Sequence, residues 1–459
     1  MPRDSAQVNA RRASALRDSA ETCTFAAMTE TVPSSRRRAM KPQSLELGGR
    51  PLHPSTLMMG YGYDPALSEG ALKPPIFLTS TYVFESAADG KRFFEGIIGR
   101  RPGGVEGLVY GRFNGPDQEI LEDRLALWER AEDALVFSTG MSAITTALMA
   151  WVRPGDIIVH SAPLYAATEK LIDAVIGKFS VGWMDFRASA SREAIEATLR
   201  AAKAKGRVSV IYLESPANPT NDLVDIEAVA AVRDAVFAEG EKPVIMCDNT
   251  FLGPVFQAPT RHGADISLYS LTKYVGGHSD LVGGACIGTK AALAPILALR
   301  NTIGTITDPH TSWMLLRSLE TVQLRMERAE ANARTLCAFL RDHPKIERVG
   351  YLGFLEPGSA QRDIYDRHCA GSGSTFSVIV KGGETQAFRL LDNLKLVKLA
   401  VSLGGTESLA SHPAAMTHLS VPDARKAELG ISDNLVRVSI GIEHVDDLIA
   451  DFKQALEAV

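Results

Sequence analysis

The sequence predicts an α/β protein with a mostly parallel central sheet and a smaller C-terminal α+β domain. Two observations carry this. Over residues 117–307, short β-branched runs alternate with helical stretches. Strands separated by helices of that length pair in parallel and carry helices on their faces. Beyond residue 308 the pattern becomes strongly helical, then gives two alternating strands and a closing helix. At 459 residues, 45% of them hydrophobic, the chain is long enough to bury a large core.

Residues 1–49 differ from the rest, with Arg3, Arg11, Arg12, Arg17 and Arg36–Arg38 set among Ser, Ala and Thr. Transit peptides share that bias but avoid acids, and Asp4, Asp18, Glu21 and Glu30 are present. The expectation is a disordered tail, or an upstream start preceding Met28 or Met40. Residues 50–116 are rich in Gly and Pro with weak periodicity, and read as an extended arm. In residues 117–307 the runs "DIIVH", "VSVIYLE", "PVIMCD" and "ISLYS" each lead into polar or Gly-rich text. Ligands of open α/β sheets bind at the carboxyl ends of strands, which makes those places the ones to search. In residues 308–459, Leu315, Leu316, Leu319, Val322, Leu324 and Met326 suggest one long amphipathic helix. "STFSVIVK" and "NLVRVSIGIE" alternate like half-buried strands.

The formal net charge of −5 gives no basic excess that would call for nucleic acid or an anionic membrane. No apolar run is long enough to span a bilayer. Cys23, Cys247, Cys286, Cys337 and Cys369 are scattered, with neither a Cys-x-x-Cys pair nor zinc spacing. That pattern suits a reducing, cytoplasmic setting and no metal.

The chemistry centres on "ISLYSLTKYVGGHSD". Lys273 stands at the carboxyl end of a strand, where partial burial lowers a lysine pKa and frees the amine. Ser270 and Thr272 are hydroxyl donors suited to phosphate oxygens. A snorkelling loop lysine is the competing reading. Asp248, ending the strand "PVIMCD", weighs against it. A pyridoxal-5′-phosphate (PLP) site needs an acid to keep the pyridine nitrogen protonated, and a lysine to hold the aldehyde as a Schiff base. Gly140 and Met141 open the apolar helix of "FSTGMSAITTAL" and offer backbone donors to phosphate. Tyr165, just after "DIIVH", is placed either to stack on a cofactor ring or to fill core. No G-x-G-x-x-G or Walker lysine supports a dinucleotide or nucleotide triphosphate.

From about Leu67 to Val459 the chain resembles the cystathionine γ-synthase/methionine γ-lyase family of PLP enzymes. The matching text is "PPIFLTSTYVF", "VYGRFNGP", "STGMSAI", "ESPANPT", "CDNTF", "SLTKYVGGH", "SLGGTESLASHPAAMTH" and "VRVSIGIE". The resemblance implies the aspartate-aminotransferase-like (type I) PLP fold, Lys273 as the cofactor lysine and Asp248 as its ring partner. It implies that Tyr165 stacks on the ring and that Asn218 binds a cofactor oxygen. Ser402 and Arg437 resemble the clamp on the substrate carboxylate. Tyr110 and Arg112 resemble the pair that reaches the phosphate in the neighbouring subunit, which implies a homotetramer built from dimers with shared sites. The substrate is then a small amino acid.

Reaction choice turns on fewer residues. Cystathionine-handling relatives usually carry a glutamate where this chain has Val401, so Val401 resembles methionine γ-lyase. Ala167 and the Arg300–Asn301 text look more like the cystathionine enzymes. Arg300, Asn301 and the extra stretch "GIIGRRPGGVEG" are expected to influence the same end of the substrate.

Overall fold

In the computed structural model the described residues are 44–97, 100 and 107–459. The tail before residue 44 and most of the extra stretch before Tyr110 lie outside them. The described residues 83–97, 100 and 107 fall in one unit, apart from the rest of the described chain. Within it, Ala87–Ile97 is a helix, where the sequence suggested irregular structure. Ser86 Oγ caps its first turn by accepting the Asp89 amide at 3.2 Å, and Phe93 packs on Phe84 with ring centroids 5.7 Å apart. Gly90 inside the helix hides the periodicity.

The second unit holds the described residues 44–82 and 108–459. It begins with a hairpin of β1 (Glu46–Leu47) and β2 (Arg50–Pro51). Gly48 and Gly49 form the turn at positive φ of 60° and 75°, as a tight two-residue hairpin demands. The seven-stranded sheet comprises β3 (Asp133–Phe137), β4 (Ile157–Ala162), β5 (Gly182–Arg187), β6 (Val208–Glu214), β7 (Val244–Asp248), β8 (Ile266–Ser270) and β9 (Gly284–Gly288). Its order is β3-β9-β8-β7-β6-β4-β5. Only β9 runs against the others, so the sheet is mostly parallel as expected. Ile195, Leu199, Val229 and Val232 cover one face through the helices Arg192–Lys205 and Ile226–Val236. The helix Gly140–Trp151 packs on β8 and β9.

The single long helix expected after residue 308 is two, Pro309–Leu319 and Val322–Arg341. The Ser318 carbonyl accepts from the guanidinium of Arg325 at 2.9 Å and from the Thr321 hydroxyl at 3.3 Å. The Thr321 amide also donates to it at 3.2 Å, so a tighter turn and these side chains take the place of a continuing helical bond. Leu315, Leu316, Leu319, Val322 and Met326 are buried as expected, whereas Leu324 is 69% exposed.

The second sheet contains β10 (Ile346–Gly350), β11 (Thr375–Val380), β12 (Lys398–Leu399), β13 (Leu409–Ser411) and β14 (Leu435–Ser439), in the order β10-β11-β14-β13-β12. β11 and β14 are buried along their whole length rather than half-buried. Val436, Val438 and Ile440 join the apolar core made with the closing helix Val445–Glu457. The alternate residues, Arg437 and Ser439, are also buried, because they meet polar groups on the other side.

Among the described residues no helix is long and apolar enough to cross a membrane. Cys247, Cys286, Cys337 and Cys369 are free thiols.

Candidate active site

The carboxyl ends of β4, β6, β7 and β8 lie along one edge of the sheet, and they deliver Tyr165, Glu214, Asp248 and Lys273. Glu214 and Asp248 are register partners at the ends of β6 and β7. Burial pushes the Asp248 carboxyl up, and hydrogen bonds from Thr250 oppose that. The Thr250 amide donates to Asp248 Oδ1 at 3.0 Å, and its Oγ1 accepts from the Ser270 amide at 2.9 Å. Thr250 thus ties the end of β7 to the end of β8.

Lys273 turns back from β8, its amide donating to the Ser270 carbonyl at 3.1 Å. Burial first, and the charge of Arg437 second, bring its ammonium down to about 8. Its Nζ is 2.8 Å from Ser402 Oγ. Arg437 donates to the Ser402 carbonyl at 3.0 Å and to Asn218 Oδ1 at 3.2 Å. Among the described residues no carboxylate pairs with this guanidinium. Its burial lowers its pKa to about 10. A buried unpaired cation is costly unless an anion arrives to meet it, which fits a carboxylate-bearing ligand.

Lys273, Ser402, Arg437 and Asn218 therefore form one connected cluster. Sequence reading missed Glu214, which holds two parts of the site together. Its Oε2 accepts the Tyr165 amide at 2.7 Å and its Oε1 the Asn218 amide at 3.0 Å. Burial, then the charge of Asp248, push its pKa well up. An acid at a strand end was the signal that picked out Asp248, and the same rule applied to "VSVIYLE" finds Glu214. Thr250 carried no comparable signal.

A family model described as "Cys/Met metabolism PLP-dependent enzyme" matches residues 55–457. The chain belongs to that family. Its cofactor is PLP, and its members perform γ-elimination or γ-replacement chemistry of trans-sulfuration. The chain is 36% identical over 408 residues to an L-methionine γ-lyase of Pseudomonas deceptionensis, covering 88% of this chain and 97% of that one. It is 37% identical over 404 residues to a cystathionine γ-synthase of Mycobacterium bovis, covering 88% and 96%. The solved cystathionine γ-synthase of Xanthomonas oryzae superposes with a TM-score of 0.79 at 30% identity, over 89% of this chain and 98% of that chain. These likenesses and the large mixed sheet give the type I PLP fold.

The residues fit the cofactor. A Cβ on Gly140 would lie 2.9 Å from Ser270 Cβ and 3.0 Å from its Oγ, so only glycine lets the helix start approach β8 this closely. The Thr139 hydroxyl takes the Ser142 amide at 2.9 Å. Among the described residues the amides of Gly140 and Met141 and the hydroxyl of Ser270 have no protein partner. A phosphate is the kind of group such donors suit. Thr272 differs from its expected part, because its Oγ1 is engaged with the backbone of Gly283, at 3.1 Å from the amide and 3.3 Å from the carbonyl.

Tyr165 is part-exposed at the start of the helix Ala166–Lys170. Val401, beside Ser402, is 57% exposed. Tyr110 and Arg112 are not brought to Lys273 within the chain. They line a separate cleft of about 490 Å³ with Tyr82, Gly304 and Asp308. The Arg112 guanidinium lies over the Phe113 ring at 4.7 Å and donates to the Asn301 carbonyl. The expected influence of Arg300 on the substrate is corrected. Its side chain is fully buried, paired with Glu122 at 2.6 Å and donating to the Val136 carbonyl at 3.0 Å. It is committed to the core and presents no group to a ligand.

Proposed function

We propose that this enzyme carries out γ-elimination on methionine, which with one water gives 2-oxobutanoate, methanethiol and ammonia. One observation carries the choice. Val401 sets an apolar side chain beside Ser402, whose hydroxyl touches Lys273. The methyl end of methionine suits that neighbour. At position 401 the distal ammonium of cystathionine meets a valine and not an acid.

Bound PLP supplies a ring that takes up the electron pair released at the substrate α-carbon. In this reading Asp248 keeps a proton on the ring nitrogen. Gly140, Met141 and Ser270 would hold the phosphate, and Arg437 and Ser402 would hold the substrate carboxylate. Asn218 steadies the Arg437 guanidinium. Lys273 Nζ, with its lowered pKa, would accept the α-proton and then a β-proton, so that the electron pair left at the β-carbon can expel the sulfur at the γ-carbon. Tyr165 would lie against the ring and would give a proton to the departing sulfur.

The separate cleft of Tyr110 and Arg112 supports their service to a neighbouring subunit. The working assembly is then a tetramer of two dimers. Residues 50–116 act as the arm, 117–307 as the cofactor domain and 308–459 as the smaller domain. We place the enzyme in the cytoplasm.

A second reading, γ-replacement by a cystathionine γ-synthase, is favoured by the mycobacterial and Xanthomonas relatives. The deciding experiment gives the purified holoenzyme methionine, cystathionine, or an O-acylhomoserine with cysteine, and counts keto acid and thioether separately. Methanethiol and 2-oxobutanoate from methionine at the highest kcat/KM support the proposal. Faster thioether formation overturns it.

A further inference from the structure

Away from this site, three distant segments bring metal-ligand atoms together. Glu227 lies in the first turn of the helix Ile226–Val236. His262 closes the short turn Pro259–His262, and His368 ends the helix Ala360–His368. One ligand atom from each lies within 4.8 Å of the other two. His262 Nδ1 is 3.0 Å from Glu227 Oε1, and His368 Nε2 is 3.8 Å from Glu227 Oε2. A tetrahedral zinc ion with bonds of about 2.0–2.2 Å sets its ligand atoms roughly 3.3–3.6 Å apart. Changes in separation of at most about 1.5 Å bring the three onto one ion.

His368 supplies a second, independent sign. Its side chain has no exposure, and its Nδ1 has no hydrogen-bond partner. Its Nε2 faces the cluster, 3.8 Å from both Asp225 and Glu227, too far for a hydrogen bond. Its ring lies 4.3 Å from that of His262. The Nε2 atom is met only by the Arg367 guanidinium, at 3.2 Å, and the unpartnered Nδ1 of a buried imidazole is costly to the fold.

A cation already stands here. Arg367 Nη2 binds Asp225 Oδ2 at 2.6 Å, while its Nη1 contacts Glu227 and lies 3.2 Å from His368 Nε2. Its side chain is 41% exposed and can turn out to water, losing an ion pair of the weak, solvent-screened kind. We propose that Glu227, His262 and His368 form a binding site for a zinc-class divalent ion, which displaces the guanidinium of Arg367. Two imidazoles with one carboxylate favour zinc over magnesium or calcium. Asp225 Oδ1 is committed to capping its helix through the Ala228 amide at 3.0 Å. The fourth position falls to Asp225 Oδ2 or water.

The ion acts as a lock. The helix that ends in His368 also carries Gln361, which exchanges hydrogen bonds of 2.7 and 2.9 Å with the backbone of Leu223. Joining Glu227 to His368 replaces the solvent-exposed ion pairs of Arg367 with a buried tie between that helix and the segment that follows Asn218.

The test uses the full-length, PLP-loaded enzyme, stripped with a chelator and titrated with zinc alone, with magnesium as control. Bound metal is counted by mass spectrometry, affinity by calorimetry and stability by thermal unfolding. Wild type is expected to hold one zinc per chain and to unfold at a higher temperature as zinc is added. His262→Gln and Glu227→Gln change part-exposed side chains and are expected to fold, with unchanged zinc-free unfolding. They should bind at least about tenfold more weakly, whereas Arg367→Ala should bind more tightly. If wild type and Arg367→Ala bind zinc no more tightly than His262→Gln, the site does not exist.

Discussion

Glu214 and Asp248 end adjacent parallel strands as register partners, yet their carboxyl groups serve different neighbours. Asp248 is bound by Thr250 at the end of its own strand. Glu214 reaches the amides of Tyr165 and Asn218, which come from two other segments. Burial pushes both carboxyl groups up, and for Glu214 the neighbouring charge of Asp248 adds to it.

Glu214→Gln keeps the shape but turns one acceptor into a donor that faces a backbone N–H. One amide is left unsatisfied, at a cost of about 1–3 kcal/mol. Urea unfolding is expected to show that loss. Cofactor retention on dialysis should fall as well, because Tyr165 and Asn218 lose their common anchor. Unchanged stability together with unchanged retention would show that Glu214 does not position the site.

Lys273 carries an amine that is uncharged above about pH 8, whereas an ordinary lysine needs about pH 10.4. In the cofactor-free enzyme its acylation by a limiting amine reagent should rise with pH to half-maximum near 8. Surface lysines should follow roughly two units higher. Peptide mass spectrometry of timed labelling reads this directly. Lys273→Ala should abolish turnover and any borohydride-fixed cofactor. A fixed adduct surviving in that variant sinks the assignment.

Val401→Glu should move specificity toward cystathionine. The side chain at this position is 57% exposed, so an ammonium beside it keeps part of its water. An exposed ion pair contributes about 0.2–1 kcal/mol, or a factor of roughly 1.5–5 in the kcat/KM ratio. The measurement is that ratio, methionine against cystathionine, in both proteins. A ratio that stays put removes Val401 from the argument about substrate choice.

Arg112 and Lys273 should complement each other between subunits. Arg112→Ala and Lys273→Ala homomers should each be nearly inactive. Unfolding and refolding the two together should restore activity, because a mixed dimer can hold one site with both groups intact. Absence of recovery, with dimers confirmed by light scattering, would place Arg112 and Lys273 in the same subunit's site.

Much of this was legible in the sequence, for a local reason. A strand end followed by Gly or hydroxyl residues is written in consecutive text, so Lys273, Asp248 and the Gly140 helix start could be named without coordinates. The alternation around Arg437 separated its side from that of Val436 and Val438, and the structure keeps that division. Tertiary structure alone decided what each polar group meets. Arg437 finds Asn218 across 219 residues, and Lys273 finds Ser402 across 129. Arg300 disappears into a pair with Glu122, and Arg325 ends a helix that periodicity would have continued. Periodicity reports which face of an element is apolar. The state of a buried charge depends on the distant partners that satisfy it, and those partners are fixed only when the sheets and helices pack.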